Sequence, residues 1–344
     1  MTYQRRSLLG AGHFGQVWLE YDDALGRLCA SKYIDPTHLP TGTDIHAEAQ
    51  AMMISRHENV VEIYGADEVA GMPVIHMEYL KRGSLQEEIK GAALPVGDAI
   101  RAIEQACRGV EHLHALGLLH RDIKPANLMV GDDGIVKVSD FGLSFMTSAV
   151  GEPPPWSYTQ HLPPESLHSG RGIDSEVGDV YALGVTAYRL VNGDAVFRST
   201  AYPGADLKAA IRCGTFPNRD AWLSHVHLPL RRVIRRAMNV KADSRYRSAA
   251  LFRHALEAVR PEVSWKQLSF GEGASWDGRA SATGTDWHAT AGTNSNGEYV
   301  FTVARRLNGR AWRNIRADSA TFDTRQDLDA HATQVLGRIC VSGR

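Results

Sequence analysis

Residues 3–35 alternate apolar and polar positions around glycines, the period-two pattern of a twisted antiparallel sheet. Residues 28–34 (LCASKYI) read as one of its strands, and the apolar runs 60–64 and 74–80 predict two more. Between them, residues 44–55 set Ile45, Ala49, Met52 and Met53 near helical spacing and predict one helix. After Leu85 the pattern becomes helical. Residues 96–115 carry Ile100, Ile103, Ala106, Cys107, Val110 and Leu113 and stop at Gly117, which predicts a long helix with a buried face. Further helices are predicted from Asp179 to about residue 191, and over 206–213, 228–239 and 248–259. Between the two groups, Leu128-Met129-Val130, the turn Asp132-Asp133-Gly134 and the run Ile135, Val136, Val138 predict a short hairpin. Two polar clusters flank it, HRDIKPAN at 120–127 and SDFG at 139–142.

Pro261 marks a boundary. Beyond it stand Trp265, Trp276, Trp287 and Trp312, four of the seven tryptophans, so residues 263–344 are expected to have a core of their own. Residues 284–292 and 294–297 read as turns, and 299–306 alternate before Asn308-Gly309, a hairpin signal followed by a strand over 311–317. Thr324-Arg325-Gln326-Asp327 is a capping box for a last helix carrying Leu328, Val335, Leu336 and Ile339. The tail therefore reads as a small antiparallel sheet with one helix.

Composition narrows the partners. The 344 residues hold 38 basic and 39 acidic side chains, so bulk charge predicts neither a nucleic-acid nor a membrane partner. Cys29, Cys107, Cys213 and Cys340 are far apart without a CxxC pair, which argues against a zinc site or a disulfide framework and for a reducing compartment. No run of about 18 apolar residues occurs and the first residues lack a signal-peptide pattern, so a cytoplasmic protein is expected. Arg305, Arg306, Arg310, Arg313 and Arg316 crowd the last hairpin. A basic face of that kind can contact nucleic acid, but the tail counts 10 Lys/Arg against 8 Asp/Glu, a balance that favours a solvated or protein-binding face. Oligomeric state is left open.

The candidate chemistry lies in the polar clusters. Asp122, Lys124, Asn127 and Asp140 fall at the mouths of neighbouring strands, and carboxylate and amide oxygens are what magnesium takes alongside substrate phosphates. Near the start, Gly10-Ala11-Gly12-His13-Phe14-Gly15 spells GxGxxG, whose backbone N–H groups suit a phosphate. A dinucleotide-binding βαβ unit is excluded because a strand, not a crossover helix, comes next.

HRD, a lysine two residues on, an asparagine five on from the aspartate, and DFG beyond a hairpin together resemble a eukaryotic-like serine/threonine protein kinase over about residues 3–260. The resemblance implies an α+β, bilobal protein kinase fold, with a β-rich N-lobe (1–78) bearing one helix, a hinge (78–83) and a helical C-lobe (84–262). Residues 263–344 would then be a small α+β accessory domain. ATP and Mg2+, or Mn2+ in its place, are the implied cofactors, and a protein of unspecified identity is the implied substrate. Phosphates would lie under Gly10, Ala11, Gly12, His13, Phe14 and Gly15, with adenine between Val17 and Ala30 above and Met129 below. Met77 precedes the hinge, where the Glu78 carbonyl and the Leu80 N–H would meet the adenine edge. Lys32 would hold the α and β phosphates with Glu48 as its partner, while Asn127 and Asp140 bind the metal. Asp122 would take the acceptor proton and Lys124 would neutralise the transferring group; Lys at 124 is the serine/threonine pattern.

By the same resemblance His120 orients the loop, Asp179 clamps its backbone, Phe141 belongs to DFG, and Arg245 pairs with Glu165. Arg121 is the cation that would meet a phosphate on the segment 140–165, where Thr147, Ser148, Ser157 and Thr159 are acceptors. His112 and His114 are expected at the surface or in packing. The chain departs from the family at Pro163, where alanine is usual, at His161, where tyrosine is common, and at Tyr158, where a threonine is usual. The alternative to an active kinase is a pseudokinase or nucleotide-gated scaffold whose tail binds a partner. Scaffolds commonly lose the strand lysine, the catalytic aspartate or the metal aspartate, and all three are present here.

Overall fold

The computed structural model describes residues 3–12, 15–38, 53–90, 92–141, 159–167, 175–199, 202 and 204–344. The chain opens with β1 (Tyr3–Gly12), β2 (Gly15–Asp22), β3 (Arg27–Ile34), β4 (Ile63–Val69) and β5 (Met72–Glu78), an antiparallel sheet in the order β1-β2-β3-β5-β4. Its first turn requires glycine at one place. Gly15 has φ of 135°, and a Cβ there would sit 1.9 Å from the Tyr33 carbonyl oxygen. The face of the sheet that bears Ser31 and Tyr33 carries buried polar pairs, with Tyr33 Oη donating to Glu20 at 2.7 Å and Ser31 Oγ 2.8 Å from His76 Nδ1.

The strand expected over 60–64 forms later, from Ile63 to Val69. Val60 and Val61 are held instead by β7 (Val136–Val138), where the Val61 N–H donates to the Val138 carbonyl and the Val138 N–H to the Asn59 carbonyl, each at 2.9 Å. That junction ties the first sheet to the helical half. It also requires Gly109, since a Cβ there would lie 2.2 Å from the Asn59 oxygen.

The helical half comprises α1 (Leu85–Glu88), α2 (Val96–Ala115), the hairpin of β6 (Leu128–Val130) with β7, α3 (Glu176–Phe197), α4 (Gly204–Cys213), α5 (Leu228–Ala237) and α6 (Ala249–Glu257). The apolar stripe of α2 is buried as its spacing requires, with Ile100, Ile103, Ala106, Cys107, Val110 and Leu113 all inside. Residues 178–193 of α3 are buried on every side, the signature of a helix at the centre of a lobe. It starts three residues before the expected Asp179, capped by Ser175, and runs past Asn192 with a break at Gly193 (φ 74°).

The tail is a second layer with a second core. β8 (Ser264–Ser269), β9 (Ala274–Ala280), β10 (Thr285–Thr293), β11 (Tyr299–Leu307) and β12 (Arg313–Asn314) form one antiparallel sheet, with β13 (Ala320–Phe322) also paired to β11. Trp265, Trp276, Trp287, Phe301 and Val303 pack against Leu328, Val335, Leu336 and Ile339 of α7 (Arg325–Ser342). Residues 284–292, expected as turns, lie almost wholly in the nine-residue strand β10. Glycines and alanines hid the alternation, in which Trp287, Ala289 and Ala291 point inward. The strand expected over 311–317 shrinks to Arg313–Asn314. Asn308-Gly309 turns the chain with both φ values positive, 47° and 73°, as a type I′ turn needs. Thr324 caps α7 by accepting from the Asp327 N–H, and the Asp327 carboxylate returns to the Thr324 hydroxyl at 2.7 Å, not to its N–H.

Four contacts hold the chain together around the junction of the tail and the helical half. The Glu262 N–H donates to the Cys340 carbonyl at 2.8 Å, and Cys340 Sγ lies 3.3 Å from His227 Nδ1. Arg260 Nε donates to the buried Glu104 at 2.8 Å. The first turn of α2 has no side-chain cap of its own, and the Ser264 hydroxyl accepts the Gly97 N–H at 2.9 Å in its place. Gly97 fits because a Cβ would stand 3.0 Å from that oxygen. Ser264→Ala should therefore cost about 1 kcal/mol, in the range of lost helix caps, measured by urea unfolding of the full chain. No change in midpoint would remove Ser264 from the cap.

Candidate active site

The site is assembled around one carboxylate. Asp179, on the first turn of α3, is 2% exposed, and its Oδ2 and Oδ1 accept the N–H groups of His120 (2.9 Å) and Arg121 (2.8 Å). His114, at the end of α2, meets the same Oδ2 through Nε2 at 2.8 Å. Burial pushes this carboxyl upward, but the hydrogen bond and charge of His114, with His120, outweigh it and hold the group below the usual range. Clamped this way, Arg121 adopts φ of 65°, a left-handed backbone uncommon outside glycine. His120 is buried and its Nδ1 faces the Asp122 N–H at 3.4 Å.

The turn presents Asp122 to the cleft. Lys124 Nζ donates to Asp122 Oδ2 at 2.7 Å, and Asn127 Nδ2 donates to the Asp122 carbonyl (2.8 Å) and to Oδ2 (2.9 Å). Because both bonds use Nδ2, the carbonyl oxygen is the end of that amide suited to a cation. The Asn127 carbonyl accepts from the Ser139 N–H at 2.9 Å, which fixes the strand end that carries Asp140. Asp140 also has a left-handed backbone, φ 60°. Lys32 of β3 reaches across to it, Nζ to Oδ1 2.7 Å. Burial raises the Asp140 carboxyl, but Lys32, with Lys124 and His120, more than offsets this and holds it low.

Apolar walls complete the cleft. Val17 lies opposite Lys32 in the β2–β3 register and Ala30 opposite Met77 in β3–β5, while Met129 sits on β6 across from Ser84. Lys32, Met77, Asp140 and the buried Phe141 line one pocket with Val61 and Ile75. Leu80 is buried after β5, and both Glu78 carboxylate oxygens take Lys137 Nζ at 2.8 Å, a pair that the sequence did not announce. Gly10, Ala11, Gly12 and Gly15 lie at the paired ends of β1 and β2. His13, Phe14, Glu48, Thr147, Ser148, Ser157 and Tyr158 lie outside the described residues. A second cleft beside Asp122 is lined by Arg121, His161, Leu162, Pro163 and Ser166. Burial, then Arg189 and Lys124, pushes the His161 imidazole well below its usual range. Thr159 and His161 share one short 3-10 turn.

Arg245 is 1% exposed and makes a two-pronged contact with Glu165, 2.7 Å on each side. Its other donors reach the carbonyls of Asn239, Val240 and Val177, so the buried guanidinium is satisfied. His112 packs on His57, ring centroids 4.9 Å apart. His114 does more than pack, and the pointer to it would have been Asp179, a buried acid in need of donors.

Residues 3–256 match the model of the protein kinase domain. The chain belongs to that family. The kinase domain resembles serine/threonine-protein kinase Pkn1 of Myxococcus xanthus at 32% identity, over 74% of this chain and 38% of that protein. It resembles serine/threonine-protein kinase PksC of Streptomyces coelicolor at 35%, over 56% of this chain and 37% of that protein. With serine/threonine-protein kinase PknJ of Mycobacterium bovis the identity is 29%, over 75% and 45%. The chain thus spans less than half the length of these relatives.

In the kinase domain the depressed Asp179 carboxyl contributes stability that is complete above its ordinary value of 3.8 and lost as pH falls through its lower folded value. Asp179→Asn sets an NH2 against an N–H or His114, at a cost of about 1–3 kcal/mol at pH 7. The gap between wild type and variant, followed by thermal unfolding, should narrow below about pH 4. A gap independent of pH would mean that the carboxylate charge does not hold the loop.

Proposed function

We propose that the chain transfers the γ-phosphoryl group of ATP to serine or threonine hydroxyls of proteins, its own included. The supporting observation is the meeting of Lys32 with Asp140 at 2.7 Å and of Lys124 and Asn127 with Asp122 at 2.7 and 2.9 Å, with the β6–β7 hairpin between Asn127 and Asp140. Among the described residues no group of three or more His, Cys, Asp or Glu could hold a metal alone. A carboxylate at Asp140 and an amide oxygen at Asn127 fit magnesium, or manganese, which draws further ligands from water and phosphates. The ion would supply neutralisation of phosphate charge. Lys32 would ground the α and β phosphates, with the cleft's apolar walls around the adenine.

Asp122 would orient the acceptor hydroxyl and take its proton as the new P–O bond forms and the bond to ADP breaks. Lys124, already on Asp122, would balance charge on the transferring group. Such catalysis is positioning and electrostatics. The scaffold reading calls for loss of Lys32, Asp122 or Asp140, and all three residues are present. We take residues 1–262 as the transferase unit and 263–344 as a recognition module. The four cysteines are thiols, which agrees with a reducing cytoplasmic setting.

Asp122→Ala should lower transfer from labelled ATP by about 100-fold or more while nucleotide binding persists. Asp140→Ala should lose the magnesium dependence of binding. Wild-type turnover in both variants would end the kinase reading.

Arg121, directly before Asp122, would pair with a phosphate on the segment 140–165. After incubation with ATP, peptide mass mapping should find phosphate on Thr147, Ser148, Ser157 or Thr159. An active enzyme bearing none there does not use this control.

A further inference from the structure

Residues 305–316 (RRLNGRAWRNIR) hold five arginines and no acid. Arg306 is engaged, Nε to Asp286 at 3.0 Å with its guanidinium 4.6 Å from the Trp312 ring. The others form no ion pair among the described residues. Arg305 of β11 and Arg313 of β12 stand directly opposite each other in the antiparallel register, so their side chains share one face of the sheet. Both are exposed, as are Arg310 and Arg316 beside them. The inner face is buried at Phe301 and Val303 but open at Arg305, whose guanidinium rests 5.7 Å from the Trp287 ring. The module's neighbouring acids are committed elsewhere, Asp286 to Arg279 and Arg306, and Asp318 to Arg338.

Like charges directly opposite on a sheet are destabilising, and here the described residues offer no counter-charge. We propose that Arg305 and Arg313 form a binding site for a phosphoserine or phosphothreonine side chain of a protein segment. Two planar forks on one face match the doubly charged, three-oxygen phosphomonoester in number and geometry. Lysine would supply charge without the fork, and Lys266 is the module's only one. The choice of a phosphoprotein rests on the transferase reading above, since that activity makes this group on protein side chains. Single-stranded nucleic acid fits less well, because it asks for a basic track with an aromatic platform beside it. The exposed Trp312 lies on the opposite face, between Arg306 and His288.

The site sits on a module whose Ser264 caps α2 and whose Cys340 carbonyl holds Glu262, so a captured segment is tethered to the same body as Asp122. Its role is to retain substrates that already carry one phosphate.

The test titrates the full chain, without ATP, against a fluorescent synthetic peptide carrying one phosphoserine. Its unphosphorylated and aspartate forms, inorganic phosphate and a single-stranded oligonucleotide are the comparisons. Wild type should bind the phosphopeptide with saturation, with inorganic phosphate competing weakly. The R305Q/R313Q variant should bind about tenfold or more weaker, since the charge-assisted forks are gone. R305K/R313K, which keeps the charge, should fall between. The thermal midpoint of R305Q/R313Q should equal or exceed wild type as repulsion is relieved, and transfer to an unphosphorylated acceptor should be unchanged. Equal phosphopeptide binding by wild type and R305Q/R313Q, or equal binding of the unphosphorylated peptide, overturns the proposal. Oligonucleotide binding that is tighter than phosphopeptide binding and lost in the variant also overturns it. No ATP is present, so failure of the transferase reading appears in the radiolabel assay and failure of this one appears here.

Discussion

The buried carboxylate of Asp179 is the interaction on which the geometry of the candidate site depends. It gathers two backbone N–H groups and an imidazole within 2.9 Å, joining α2, α3 and the loop at 120–127. Hydrogen bonds to a charged group contribute about 1.5–3 kcal/mol each. That is enough to offset the roughly 1–2 kcal/mol of a left-handed residue at Arg121. The strained residue directly precedes Asp122, whose carboxylate takes Lys124 and Asn127. A buried acid without those donors would be expelled or protonated. Loop conformation and Asp179 ionisation are therefore one property of the site.

The second half of the site hangs on a longer-range contact. Lys32 comes from the first sheet and Asp140 from the end of β7, 108 residues later, and their ion pair spans the cleft. Two backbone bonds between residues 59–61 and Val138, close to Gly109, hold the same two halves together behind it. The rear junction is buried, while the side chain of Asp140 is one-third exposed. Opening at the front over a fixed rear is what admission of a nucleotide asks of such a cleft.

Much of this was legible because the chemistry is local in sequence. HRDIKPAN and SDFG carry Asp122, Lys124, Asn127 and Asp140 on two loops joined by a hairpin of three-residue strands, so the pattern put them near one another and the kinase resemblance supplied their roles. The stripe on α2 was read from its period for the same reason. What escaped was either non-local or masked by small residues. His114 and Asp179 meet across 65 residues, Glu78 and Lys137 across 59, and Ser264 and Gly97 across 167, with no spacing to announce them. In β10, Ala289, Ala291 and Gly292 made a buried strand look like a turn. At Val60 and Val61 the β propensity was read correctly, but β7 took those residues before their own sheet did.

The central claim is that Lys32 and Asp140 exchange each other for a nucleotide and its metal. A crystal structure with magnesium and a non-hydrolysable ATP analogue tests it most directly. The account predicts Lys32 Nζ on the nucleotide phosphates, with oxygens of Asp140 and Asn127 at about 2.1 Å from the metal. A nucleotide bound elsewhere, or a metal in this cleft held without Asp140 and Asn127, would contradict it.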